Sequence, residues 1–249
     1  FSSMHAGEKG KFGFFSSEEA IFERIATTMG IIKKGEGMYC RHPLVYLVEA
    51  ADDICYQVMD LEDAHKLRII GTEDVIELLL GFFEDSQKNH IREVMSQVSD
   101  KNEKIVYLRS CVVGNLVMEC AAEFCAHEEE ILRGEYHGCL IDRISPLCRN
   151  AYSKCSEYAY ANIYKASDVV DIDLAGNKIM NTLLQQLTEA VLYPDRNYSK
   201  LLLAKFPEQY EIKAPTLFEQ VQAVIDHISG MTDVYALDLY RKLNGMSLP

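Results

Sequence analysis

Asp52, Tyr56 and Asp60 are the side chains of this 249-residue chain whose types and spacing best suit chemistry. Helical residues four apart are rotated only about 40° from one another, so the three would line one strip about three turns long. A ligand lying along the helix could meet all three. The charge around them is unbalanced. Between Arg41 and His65 lie six carboxylates (Glu49, Asp52, Asp53, Asp60, Glu62, Asp63) and no Lys or Arg, so no i,i+4 pair of opposite sign relieves repulsion within that stretch. Two readings follow: a solvated acidic face compensated by bases from neighbouring helices, or a face that meets a metal or a metal-bound anion. Asp is a poor helix former, and Asp52-Asp53 falls mid-helix, away from the start where the dipole favours it. Such local disfavour is what functional sites tend to show.

One long helix must present this strip. Pro43 suits a first helical turn, where its missing N–H has no intrahelical partner, and the pattern continues to about Ala64. Leu44, Leu47, Val48, Ala51, Ile54, Cys55, Val58 and Leu61 recur at helical spacing and predict a core-facing stripe. His42, ten residues before Asp52, caps or packs the entry turn rather than joining the strip. Before this helix, Gly7, Gly10 and Gly13 with Lys9 and Lys11 form a basic loop, which reads either as plain surface or as a phosphate contact. Ser16 and Glu19 form a capping box for a helix to about Met29, with Ile21, Phe22, Ile25 and Met29 on one face. After it, Thr72 is the expected N-cap of the Val75–Phe83 pattern, and a long helix from about Asn102 to Leu132 carries Ile105, Leu108, Val112, Leu116, Cys120 and Phe124 as its stripe. Arg109 on that helix is a candidate phosphate or base contact, with an ion pair to the acidic helix the weightier reading. Ser145-Pro146 opens a tyrosine-rich helix, another covers about Asp168 to Leu192, and Thr216 and Thr232 start the last two.

No sustained period-2 run, Asn-Gly hairpin or 20–50-residue repeat occurs, so the fold class is all-α. The expected division is 1–133 and 134–249, at the break marked by Gly134 and Gly138. With 48% hydrophobic and 25% charged residues the chain can bury a substantial core. Eight cysteines without a C-x-x-C pair read as reduced, buried small hydrophobes rather than a zinc site or a disulfide framework. A net charge of −13 argues against a broad nucleic-acid footprint, and neither a signal pattern nor a membrane-length apolar run is evident, so a cytoplasmic protein is expected.

Arg41-His42-Pro43, Glu49-Ala50-Ala51-Asp52-Asp53-Ile54 with Tyr56, and Asp60-Leu61-Glu62-Asp63-Ala64 together resemble the dGTPase-like deoxynucleoside triphosphate triphosphohydrolases of the HD-domain superfamily. Lys11-Phe12-Gly13-Phe14-Phe15, and Ser229-Gly230-Met231-Thr232-Asp233 with Tyr235-Ala236-Leu237-Asp238-Leu239-Tyr240, resemble two further stretches of that family in the same order. The resemblance implies a multi-helical HD-like bundle with a C-terminal helical extension, hydrolysis of a dGTP-like substrate to deoxynucleoside and triphosphate, and a divalent metal (Mg, Mn or Fe). It also implies a homo-oligomer. Residue by residue, it implies that Asp52 is a metal ligand, that Tyr56 and Asp60 lie against the deoxyribose near its 3′-hydroxyl, and that Lys11 meets phosphate. The family's His and His-Asp ligands are not matched: none of the seven histidines precedes an Asp. The expectation is therefore the C-terminal portion of a longer enzyme, inactive alone. A catalytically silent helical module that binds nucleotide or assembles subunits is the other reading.

Overall fold

The computed structural model describes residue 14 and residues 16–246; Lys11 and the rest of its glycine-rich loop lie outside them. Eleven α-helices are present among the described residues, with one two-stranded hairpin, so the all-α expectation holds. They are α1 (Glu19–Thr28), α2 (Pro43–Lys66), α3 (Thr72–Leu80), α4 (Asp85–Ser96), α5 (Lys101–Ala126), α6 (Glu128–Leu132), α7 (Pro146–Asn162), α8 (Ser167–Leu192), α9 (Asn197–Ala204), α10 (Leu217–Ser229) and α11 (Asp233–Leu243). The hairpin, β1 (Lys33–Gly35) and β2 (Met38–Tyr39), turns at Gly37, whose φ of 64° is the left-handed conformation that glycine adopts without strain.

The chain divides into two compact units, one through Lys165 and one from Ala166. That is later than the break at Gly134 suggests. Leu140, Ile141, Ile144, Cys148, Ala151, Cys155, Ala159 and Ile163 all join the core built by Ile54, Val58 and Leu61 of α2, Val75 and Leu79 of α3, and Ile105, Leu108, Val112 and Leu116 of α5. A glycine turn at 134 interrupts a helix without ending a core. In the first unit α2 and α5 are the central pair, flanked by α3, α7 and a 3-10 turn at Leu140–Arg143. By length and composition α5 is apolar enough to cross a membrane, yet its stripe forms the centre of this core. Each such fully buried Leu or Ile contributes roughly 1.5–3 kcal/mol of hydrophobic stabilisation.

In the second unit the C-terminal half of α8 supplies Leu183 and Leu187 to a core completed by Leu202, Val224, Ile228 and Ala236. The Ser229–Asp233 stretch is the turn between α10 and α11. Gly230 closes α10, and a Cβ there would meet the Tyr210 hydroxyl at 2.8 Å, so only glycine fits without a shift. Thr232 then caps α11 by accepting from the Tyr235 N–H at 3.3 Å.

Several local expectations differ from what is seen. Ser16–Glu18 is a 3-10 turn, so α1 starts at Glu19 with Glu18, not Ser16, in the N-cap position, and of α1 only Ala26 is buried, while Ile21, Ile25 and Met29 are exposed. Thr72 is the first residue of α3, its hydroxyl bonded instead to His65 Nε2 at 2.9 Å. The expected 102–132 helix breaks at His127 into α5 and α6. Cys120, Cys139, Cys148 and Cys155 are buried, but Cys55 and Cys125 are exposed.

Candidate functional site

The strip depends on how α2 starts and which way it faces. His42 caps it: the ring Nδ1 accepts the Leu44 N–H at 3.2 Å, and Pro43 occupies the first turn. The inward face is Tyr46, Ala50, Ile54, Gln57, Val58, Leu61, Glu62, Ala64 and His65. Leu44, Leu47, Val48, Ala51 and Cys55, expected in the core, are exposed instead. Apolar residues cover more than half of this helix's circumference, so their spacing alone could not choose the inward side. The helix is rotated accordingly, and Asp52 and Tyr56 lie on the solvent side while Asp60 is half-buried at its edge.

A side chain from the end of α7 reaches this strip. The Tyr164 hydroxyl donates a short hydrogen bond to Asp60 Oδ2 and is also within hydrogen-bonding reach of Tyr56. Burial first, then these bonds to Asp60 and Tyr56, push the Tyr164 phenol well above its ordinary range, so it remains a protonated donor at neutral pH. Two further contacts run beside it along α2 and α7. Tyr152 donates to the Asp53 carbonyl at 3.0 Å, and Ser156 Oγ donates to Gln57 Oε1 at 2.7 Å. The Gln57 Nε2 is buried with no hydrogen-bond partner among the described residues. In the sequence Tyr164 reads only as one of the tyrosines (Tyr152, Tyr158, Tyr160, Tyr164) of the tyrosine-rich helix, a stripe that suits core or a subunit interface, and nothing there ties it to Asp60, 104 residues away.

The missing positive charge is supplied at both ends of α2. Arg41 Nη2 donates to Glu49 at 2.7 Å; Lys66 lies 2.5 Å from Glu62 Oε1 and 3.7 Å from Asp63. Arg109 Nε sits 2.5 Å from Glu62 Oε2, an ion pair whose N–H is not aimed as a hydrogen bond. Arg109 is therefore held by a residue two positions past Asp60, about 200° round the helix, and is not brought to the strip. Asp52 has no ion-pair partner among the described residues.

A divalent metal needs several such donors. Among the described residues no group of three His, Cys, Asp or Glu side chains could hold one. The exposed Asp52 carboxylate offers one ligand, so the residues present do not by themselves form the metal centre that the resemblance implies. An open groove of about 980 Å³ lies on the other side of α7, lined by Asp74, Glu77, Arg92, Lys154 and Tyr158 among others, and includes no strip residue.

Comparison with known proteins adds the following. A family model for the phosphohydrolase-associated domain matches residues 143–242. The chain is 33% identical over 99% of its length to a deoxyguanosinetriphosphate triphosphohydrolase-like protein of Synechocystis, covering 55% of that protein. It is 31% identical over 95% of its length to the like-named protein of Listeria monocytogenes, again covering 55% of it. A deoxyguanosinetriphosphate triphosphohydrolase of Serratia proteamaculans is 27% identical over 94% of the chain, which covers 54% of that protein. The chain thus spans about half the length of the curated relatives it matches.

Proposed function

From the premise that this chain belongs to the dGTPase-like family of deoxynucleoside triphosphate triphosphohydrolases, we propose that it supplies the sugar-reading part of a phosphohydrolase site for a deoxynucleoside triphosphate. The observation that carries this is the cluster of Tyr56, Asp60 and Tyr164 beside an exposed, unpaired Asp52. Asp60 accepts the 3′-hydroxyl. With Tyr164 donating to Oδ2, the carboxylate keeps lone pairs on both oxygens for a substrate hydroxyl. Tyr56, 60% exposed, offers a ring face along the sugar edge, where a 2′-hydroxyl would have to fit. Substrate class comes from the relatives' names, dGTP being the substrate they print.

Asp52 is proposed as the carboxylate that this segment contributes to a divalent ion (Mg, Mn or Fe). When bound, such an ion stabilises charge on phosphoryl oxygens and acidifies a water. The other ligands are not among the residues described, and Asp52 is assigned this one part only. Lys11 is proposed as a triphosphate contact by resemblance alone.

The test is Asp60→Ala in the full-length protein, with dGTP and GTP turnover measured side by side. Loss of a hydrogen bond to a charged group costs roughly 1.5–3 kcal/mol, so kcat/KM for dGTP should fall by about one to two decades and the dGTP preference should narrow. Unchanged constants for both nucleotides would return Asp60 to the structural residues.

A further inference from the structure

We propose that the outward face of α5 is a self-association surface, on which a second copy of this chain docks its own α5 antiparallel. α5 is 26 residues long, yet only 28% of its most apolar 18-residue stretch lies buried. Its inward stripe is Ile105, Leu108, Val112, Leu116 and Cys120; the opposite side presents Ser110, Gly114, Val117, Met118 and Ala121, all exposed. Ser110, Gly114, Val117 and Ala121 are spaced by four, three and four residues, the period of a seam between two helices. No charge interrupts this face. The Lys, Arg, Asp and Glu residues between Lys104 and Glu128 are Arg109, Glu119 and Glu123, and each is engaged elsewhere. Arg109 pairs with Glu62, Glu119 accepts the Ser145 N–H at 2.8 Å, and Glu123 accepts the Tyr136 hydroxyl at 3.1 Å. The Ser110 hydroxyl is satisfied within the helix, donating to the Val106 carbonyl at 2.8 Å.

Charge and shape select the occupant. A chain of net charge −13 repels its own copies over most of its surface, and a charge-free face is where two copies can meet. Gly114 has no atom within 4 Å of where a Cβ would stand, so its own fold does not call for glycine, and glycine weakens a helix interior relative to alanine. Against a second helix the absent side chain is an opening. When two α5 faces pair antiparallel about the level of residues 115 and 116, Gly114 comes level with the partner's Val117 and Ser110 with the partner's Ala121. Two-fold symmetry makes each of these contacts twice. Met118, 70% exposed, borders the same opening. The ends of the helix agree with this direction. The start of α5, with Lys101 and Lys104 against one acid, Glu103, is brought towards the partner's Glu128, Glu129 and Glu130 just past the end of its α5, whereas parallel pairing would set those acids against their like.

Sedimentation equilibrium of the 249-residue chain is the test. A seam along one helix is at the small end of specific interfaces, below about 1,200 Å² in total, so the chain should be dimeric at about 50 μM and dissociate on dilution. Gly114→Leu, for which the fold has room, should raise the dimer dissociation constant at least about tenfold while the unfolding midpoint of the dilute chain stays level or rises. Leu174→Glu, an exposed position on α8, should leave the dissociation constant within about twofold. At low salt, Lys101→Glu with Lys104→Glu should weaken the dimer about tenfold, and adding Glu128→Lys with Glu130→Lys should restore it. A chain monomeric at that concentration overturns the proposal, whether the face is then found covered by another part of a longer protein or bound to phosphatidylcholine vesicles. A dimer indifferent to Gly114→Leu overturns it as well, and reversed charges that fail to restore association overturn the antiparallel seam.

Discussion

Asp52 and Glu62 are carboxylates ten residues apart on one helix, and the fold treats them oppositely. Glu62 is 3% exposed and faces two cations, Arg109 and Lys66. Asp52 is exposed and faces none among the described residues. The physics of burial explains the first: an ionised carboxylate removed from water is tolerable only when paired. It does not explain why an acid is placed at Asp52, on a helix already crowded with negative charge. The compensation that the composition demands is thus delivered at the two ends of α2 while Asp52 has no ion-pair partner among the described residues, and an acceptor held in that way is available to a ligand.

The largest expected effect breaks or upholds that comparison directly. Removing a group that merely supports a metal ligand typically costs 10–100-fold in metal affinity or activity, so Asp52→Asn in the full-length protein should lose more than about a hundredfold in turnover and its bound metal. Its unfolding midpoint should stay level or rise, because one carboxylate leaves a crowded face. Asp53→Asn, about 100° round the helix, should keep the metal. If Asp53→Asn emptied the site while Asp52→Asn stayed fully loaded, the roles read from this strip would fall together.

Next in size come the two faces of α2 themselves. Ile54 is 2% exposed and Val48 is 68% exposed. Ile54→Ala should cost about 3 kcal/mol in urea unfolding, from lost transfer energy and the cavity left, and Val48→Ala less than about 0.5 kcal/mol. Equal costs would mean that the helix is rotated from the orientation described. Glu62→Gln follows. Breaking a fully buried ion pair costs about 3–5 kcal/mol, but the Arg109 side chain is a quarter exposed and Lys66 nearly half, so solvent screening brings the expected loss to about 2 kcal/mol. Asp52→Asn, measured in the same unfolding series, should show no such loss.

These residues also mark how far the sequence could be read. The start and length of α2 were legible, because Pro43, the cap at His42 and a long helical period are local signals. Its inward side was not: Leu44, Leu47 and Val48 are as apolar as Ile54 and Val58, and only packing against α5 decides between them. The Arg109 ion pair was anticipated from charge balance, whereas Lys66, one residue past the acidic stretch, was left out of that balance. Asp52, Tyr56 and Asp60 could be grouped by spacing within one helix. Tyr164 could not be added to them, because nothing in a helical period connects residues 104 apart. The division after Lys165 was hidden for a related reason, since a glycine turn is visible in sequence and a shared core is not.

The smallest effect extends the comparison to the second unit, where a buried titratable group is accommodated by staying neutral rather than by pairing. His227 is 6% exposed, with its ring 4.7 Å from Phe206, 5.0 Å from Tyr210 and 6.2 Å from Tyr235. Burial lowers its pKa below the ordinary value of 6.5, since the surrounding rings solvate an imidazolium poorly. The unfolded chain therefore binds a proton at higher pH than the folded one. In the window from 6.5 down to the lowered native value the unfolded state carries more protons, so stability falls as pH falls through that window and levels off below it with respect to this group. Thermal midpoints of the chain between pH 7.5 and 5 should show this decline, and His227→Gln should flatten it while lowering the midpoint at neutral pH through lost ring packing. An unchanged slope in His227→Gln would assign the acid sensitivity to the carboxylates and leave the aromatic setting of His227 as packing alone.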